Sequence, residues 1–121
     1  AIATLRVDNV NADAYTFNSH YSGNNPTIYV ISGTTIAFDL TNIGGHPFQI
    51  QDSTGTNITS GLVHVATNGT ILTDTNAQGQ SSGVLYWRVP ETLASPPNYR
   101  YQCQSHTAMV GPITIKRLST L

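Results

Sequence analysis

The chain carries little formal charge and a single cysteine, and each shortage excludes a class of function. Charged residues make up 9% of its 121 residues, against about 25% in an average soluble domain, and the net charge is −1. With five Lys and Arg residues, it lacks the cationic surface that nucleic-acid binding requires. One cysteine excludes both an internal disulfide and a metal site built from cysteines alone.

Long hydrophobic runs and paired acidic residues are also missing. No apolar segment approaches the roughly 20 residues of a membrane-spanning helix, so we expect no span. Glu91 is the only glutamate and follows a proline in a turn, which argues against catalysis by a carboxylate pair. Residues 79–83 match a hydrolase nucleophile elbow, but they lead into a strand, so we interpret them as a turn and predict no catalytic residues.

The composition gives an expectation about location. The chain begins without an initiator Met and is poor in Lys and rich in Thr and Asn. These features favour a mature exported protein, either periplasmic, extracytoplasmic or at a membrane surface.

Alternation of apolar and polar residues dominates what is present. Such runs, and shorter apolar ones, are separated by Gly, Asn, Pro and Ser. The eight segments are 5–7, 28–31, 35–41, 48–50, 63–65, 85–89, 99–103 and 113–115. No window of 11 or more residues has a helical stripe. The pattern predicts one all-β domain over residues 1–121, an antiparallel sandwich or small barrel of about eight strands, with His64 facing outward.

Side chains that bind soft and borderline metals occur at the end of the seventh of these segments and directly after it. Cys103, His106 and Met109 follow one another at intervals of three, so a loop could turn thiolate, imidazole and thioether towards one point. Thiolate and thioether favour copper over hard cations, and imidazole suits copper too. His46 follows two glycines at another strand junction and offers a second imidazole. Two His, one Cys and a weak axial sulfur form the ligand set of a blue-copper electron-transfer site.

On these residues the chain resembles the cupredoxins, the type 1 copper proteins. The spacing from Cys103 through His106 to Met109, with His46 upstream, is most similar to the amicyanin and plastocyanin ligand loops, closest to amicyanin. The resemblance covers most of the chain from about Val30 onwards. It implies a Greek-key β-sandwich that holds one copper ion. In that arrangement His46, Cys103 and His106 are equatorial ligands, Met109 is the axial ligand, and the exposed edge of His106 is the electron exit.

The chain departs from the family pattern at two places in the copper loops, and the second bears on the axial position. Pro47 stands where many family members have an Asn whose hydrogen bonds tie the copper loops together. The loop around the second histidine also lacks stiffening prolines, and its small polar side chains could admit water. Water is therefore an alternative to Met109 as the axial ligand. The resemblance implies the Gly45 carbonyl as another, because some cupredoxins use the backbone oxygen that precedes the upstream histidine.

Three functions are consistent with these residues. The first, which we favour, is a one-electron carrier in which copper cycles between Cu(II) and Cu(I). Its transient redox partners would dock around Ala108, Met109, Val110 and Pro112, with little dependence on salt because charges are few. The second is a copper oxidoreductase whose open axial position binds a small molecule such as nitric oxide. The third is a metal-free β-sandwich binding module in which Cys103 is structural.

Overall fold

The computed structural model describes residues 1–18 and 20–117. Their regular structure consists of eleven strands and one short 3-10 helix, Asp74–Ala77. The strands are β1 (Ala3–Arg6), β2 (Asp8–Val10), β3 (Ala14–Thr16), β4 (Ile28–Ile31), β5 (Thr35–Asp39), β6 (Phe48–Asp52), β7 (Leu62–Val65), β8 (Ile71–Thr73), β9 (Val84–Arg88), β10 (Tyr99–Cys103) and β11 (Val110–Lys116). No helix within those two ranges has the length and apolarity to cross a bilayer.

The strands form two main sheets arranged as a sandwich, which confirms the predicted fold class. One sheet has the order β1-β5-β9-β7-β8 and the other β4-β11-β10-β6, while β2 and β3 form a separate hairpin. Successive strands such as β4, β5 and β6 alternate between the sheets, as in Greek-key sandwiches. The sheets are not wholly antiparallel, because β1 pairs in parallel with β5 and β4 in parallel with β11.

Three short strands account for the difference between the predicted eight strands and the observed eleven. β2, β3 and β8 have three residues each, too few to display alternation. β3 is buried at every position, whereas Ile71 of the edge strand β8 is 63% exposed. The burial of these short strands depends on tertiary packing, which cannot be deduced from the local sequence pattern.

Alternation identified the inward-facing residues of the central strands but failed at His64. Phe38, Leu85 and Trp87 are fully buried as predicted. His64 is also buried, at 1% exposure, while the apolar Val63 beside it faces outward at 38%. The inward position accepts an imidazole because Nε2 of His64 donates to the Ser82 carbonyl at 2.7 Å. The outward assignment of His64 was therefore wrong.

The pairing of β6 with β10 brings two distant parts of the sequence to one end of the sandwich. Phe48, the first residue of β6, lies opposite Cys103, the last residue of β10. Gln102 lies opposite Val110 of β11, so the intervening residues form a tight connection, the β10–β11 loop. The segment before β6 and the β10–β11 loop therefore meet at the same edge.

Candidate metal centre

His46 is held by a turn whose first half is anchored in the core. Leu40 and Ile43 are fully buried, and the His46 amide donates to the Ile43 carbonyl at 2.9 Å. Gly45 has a φ of +82°, which glycine adopts without steric strain. The turn ends with His46 directly before β6, and its imidazole is half-buried.

Cys103 and His106 are held by backbone hydrogen bonds across the β10–β11 loop. The Cys103 amide donates to the Met109 carbonyl at 2.9 Å, and the Met109 amide donates to the His106 carbonyl at 3.1 Å. The Gln104 amide donates to the Pro47 carbonyl at 2.9 Å. The loop is thus closed on itself and joined to the neighbouring histidine segment.

The side chains of His46, Cys103 and His106 converge where these two segments meet. Their candidate donor atoms all lie within 4.8 Å of one another. The two Nδ1 atoms are 3.3 Å apart, and Sγ of Cys103 is 3.5 Å from Nδ1 of His106. Across residues 1–18 and 20–117, no other group of three His, Cys, Asp or Glu side chains is arranged in this way. The structure thus brings together the three residues predicted as equatorial ligands.

The spacing and chemistry of these donors fit one transition-metal ion. Metal bonds of about 2.0 Å to imidazole nitrogen and about 2.3 Å to thiolate sulfur separate the donors of one ion by about 3 to 4 Å. Two of the three donor separations, 3.3 and 3.5 Å, fall in that range, and the third is no longer than 4.8 Å. Cys103 is 2% exposed and both histidines are half-buried, so the sulfur is shielded from water while the imidazoles reach the surface. A set of two nitrogens and one thiolate suits copper and zinc.

Met109 lies at the end of the β10–β11 loop and is fully buried in the hydrophobic core. A fully buried side chain cannot contact a docking partner, so its predicted place in a docking surface was wrong. Ala108 is exposed, and Val110 and Pro112 are half-buried, so they remain available. The axial role of Met109, and its alternatives in the Gly45 carbonyl and water, remain predictions.

Gln102 organises the loop, a role that the sequence did not indicate. Its side chain is 9% exposed. Its amide nitrogen lies 3.0 Å from the Cys103 carbonyl, 3.1 Å from that of His106 and 3.3 Å from that of Met109. A carboxamide nitrogen donates two hydrogen bonds, so this one side chain draws several loop carbonyls together.

Tyr15 reaches the site from β3. It is fully buried, and its hydroxyl donates to the His46 carbonyl at 2.7 Å. Burial raises the pKa of Tyr15 well above its usual value, and the neighbouring Cys103 side chain raises it further. The hydroxyl is therefore a permanent hydrogen-bond donor beside the site. No local sequence signal marks this role, because 31 positions separate Tyr15 from His46.

The two segments that carry the three donors contain no formally charged side chain. Segments 40–51 and 101–115 contain no Asp, Glu, Lys or Arg. Thr107 and Ala108, next to His106, are small and exposed. These two segments therefore contribute no charge to the surface near the imidazole of His106.

Comparisons with known proteins give distant structural likenesses. No family model and no curated protein matches the chain. A purple cupredoxin from Nitrosopumilus maritimus is 23% identical, with 94% of this chain and 99% of that chain covered and a TM-score of 0.48. The oxidized state of an amicyanin mutant is 16% identical, with 96% and 85% covered and a TM-score of 0.45. Reduced rusticyanin is 19% identical, with 96% and 78% covered and a TM-score of 0.46.

Proposed function

We propose that the chain is a cupredoxin-like protein that binds one copper ion and carries single electrons between redox partners. The observation that supports this most strongly is the convergence of the donor atoms of His46, Cys103 and His106 within 4.8 Å. Two imidazoles and one thiolate are the equatorial set of a blue-copper site. Met109, three residues beyond His106, would supply the weak axial sulfur.

The donor set favours copper over zinc. Divalent copper binds a given nitrogen and sulfur site more tightly than zinc does, and soft sulfur ligands also suit Cu(I). When bound, copper supplies the one-electron couple between Cu(II) and Cu(I). A site that retains both oxidation states is what an electron carrier needs.

The protein holds the metal-binding side chains in place whatever the oxidation state of the metal. Cys103 ends a paired strand, and the backbone hydrogen bonds of the β10–β11 loop restrict His106. Donors that are already positioned need little rearrangement when the charge at the site changes, and this speeds electron transfer. The buried sulfur of Cys103 is kept from water, while half-buried His106 would provide the electron exit to the surface.

Docking of redox partners would use the surface around His106. Without charges in the two site segments, encounter would be weak, transient and little affected by salt. The Lys-poor, Thr- and Asn-rich composition supports an exported location for such a carrier.

A copper oxidoreductase is the second candidate function. It is favoured by the small exposed residues Thr107 and Ala108, which leave the neighbourhood of His106 uncrowded. A small molecule such as nitric oxide could then reach the metal position. Azide or nitric oxide would change the visible and EPR spectra of the oxidised protein in this case, and would leave them unchanged in a pure electron carrier.

Copper titration followed by voltammetry tests the proposal. We expect the wild type to bind one equivalent of Cu(II), to develop an intense thiolate-to-copper absorption, and to give a reversible one-electron wave. Cys103→Ser should lose the absorption, whereas the matched control His20→Ala should keep it, because His20 is exposed and contacts the Thr4 carbonyl. Normal folding without any thiolate-to-copper absorption would contradict the proposal and favour a metal-free binding module.

A further inference from the structure

We propose that Tyr15 and Asn25 are positioning residues that hold the two ligand-bearing segments together from the N-terminal part of the chain. The inference deepens the proposed function and rests on it, since it assigns these residues to the same copper site. It concerns the backbone that carries the ligands, and it can therefore be examined with and without metal.

Tyr15 fixes the segment that carries His46. Its hydroxyl donates to the carbonyl of His46 itself, so the bond restrains the peptide attached to a ligand residue. The ring is locked by edge contacts with Phe48 at 5.2 Å and Tyr101 at 6.1 Å between ring centroids. Close packing of the fully buried Tyr15 ring against these two aromatic rings restricts its orientation. The hydroxyl at the end of the ring therefore restrains the position of the His46 carbonyl.

Asn25 joins Tyr15 to the β10–β11 loop. Its backbone amide donates to the Tyr15 carbonyl at 2.8 Å, and its side-chain oxygen accepts from the Tyr15 amide at 2.9 Å. Its side-chain nitrogen, Nδ2, donates to the Ala108 carbonyl at 3.1 Å. Asn25 adopts a φ of +47°, a conformation that Asn tolerates better than most residues. Both polar groups of the Asn25 side chain are therefore engaged, one with β3 and the other with the loop.

Together these bonds form a bridge between the two segments. One end is attached at His46, and the other at Ala108, which lies between His106 and Met109. The hydrogen bond from the Gln104 amide to the Pro47 carbonyl joins the same two segments directly. Residues outside the coordination sphere that orient the ligands in this way typically change metal affinity by about 10- to 100-fold when replaced.

Hydrogen exchange in the metal-free protein tests the positioning role. Tyr15→Phe is compared with Tyr101→Phe, which also removes one buried hydroxyl but one that donates to the carbonyl of Pro26, outside both segments. Exchange of the Gln104 amide reports how firmly the segments are joined. We expect it to be about tenfold faster in Tyr15→Phe than in Tyr101→Phe, the factor that loss of one hydrogen bond gives. Equal exchange rates in the two variants would overturn the inference.

Copper affinity provides the second measurement. In a chelator competition, Tyr15→Phe should raise the copper dissociation constant about tenfold or more and shift the thiolate-to-copper absorption, while Tyr101→Phe should do neither. Asn25→Asp, which keeps the acceptor oxygen and removes the donor to Ala108, should weaken binding similarly and serves if Tyr15→Phe does not fold. Wild-type affinity and spectra in both variants would overturn the inference and leave the proposed function standing. Absence of the absorption in the wild type would overturn the proposed function, and the exchange comparison would then decide the positioning role alone.

Discussion

Replacing Gln102 with Met tests whether one side chain organises the β10–β11 loop. The substitution keeps the length and volume of the side chain and removes its donors. The carbonyls of His106 and Met109 still accept hydrogen bonds from backbone amides in the variant. The larger loss of folding free energy therefore comes from the buried Cys103 carbonyl, which loses the hydrogen bond from Gln102. That cost is about 1 to 3 kcal/mol, and the second lost bond adds about 1 kcal/mol. Because the thioether recovers part of this loss by burying apolar surface, we expect a net destabilisation of about 1 to 3 kcal/mol.

Thermal unfolding of the metal-free protein measures this loss. At this chain length the expected decrease in Tm is about 4 to 12 °C. Fluorescence of Trp87, the only tryptophan and fully buried, reports the transition. The matched control is Gln104→Met, since Gln104 is exposed and makes a long contact of 3.5 Å to Gln49; its Tm should change by no more than about 2 °C. A Tm for Gln102→Met equal to that of the control would refute the assigned role.

Three further predictions concern acid, alkali and packing. Hydrogen bonds within its own turn, chiefly from a threonine hydroxyl, lower the pKa of Asp52, so its stabilising contribution is lost as the pH falls below its usual 3.8. Asp52→Asn should therefore reduce the acid dependence of urea unfolding, and an unchanged dependence would contradict this. Burial raises the pKa values of Tyr15 and Tyr101, so the free energy of unfolding should fall as the pH rises above 10.0, where unfolded tyrosines ionise; a flat profile there would disagree. Gly111→Ala would place a methyl group against the Tyr101 ring and should lower the free energy of unfolding, measured in urea, by about 1 to 3 kcal/mol. In the control Gly44→Ala the methyl group meets open space, so the free energy of unfolding should hardly change. Equal effects of the two substitutions would argue against the close contact between Gly111 and Tyr101.

The part of the fold that could be predicted was the part with long alternating strands. In β9, Leu85 and Trp87 are buried at every second position, so their pattern was enough to place the strand. His64 shows where this reasoning fails. Its strand was predicted, but Val63 was placed on the inward face because it is more hydrophobic than His64. Hydrophobicity alone does not reveal that the Ser82 carbonyl accepts a hydrogen bond from the buried imidazole.

The three donors could be predicted because their chemistry is rare in this chain. Cys103 is its only cysteine, and His106 and His46 stand at strand junctions that register brings together. The surrounding residues could not be predicted. Asn25 reaches Ala108 across 83 positions, and nothing in its local sequence distinguishes it from other turn asparagines.

A crystal structure of the copper-loaded protein, with anomalous diffraction recorded at the copper edge, tests the shared metal site most directly. We predict one strong anomalous peak per chain, within bonding distance of Nδ1 of His46, Nδ1 of His106 and Sγ of Cys103. A peak bound elsewhere, for example at His20, with those three side chains left uncoordinated, would contradict the account.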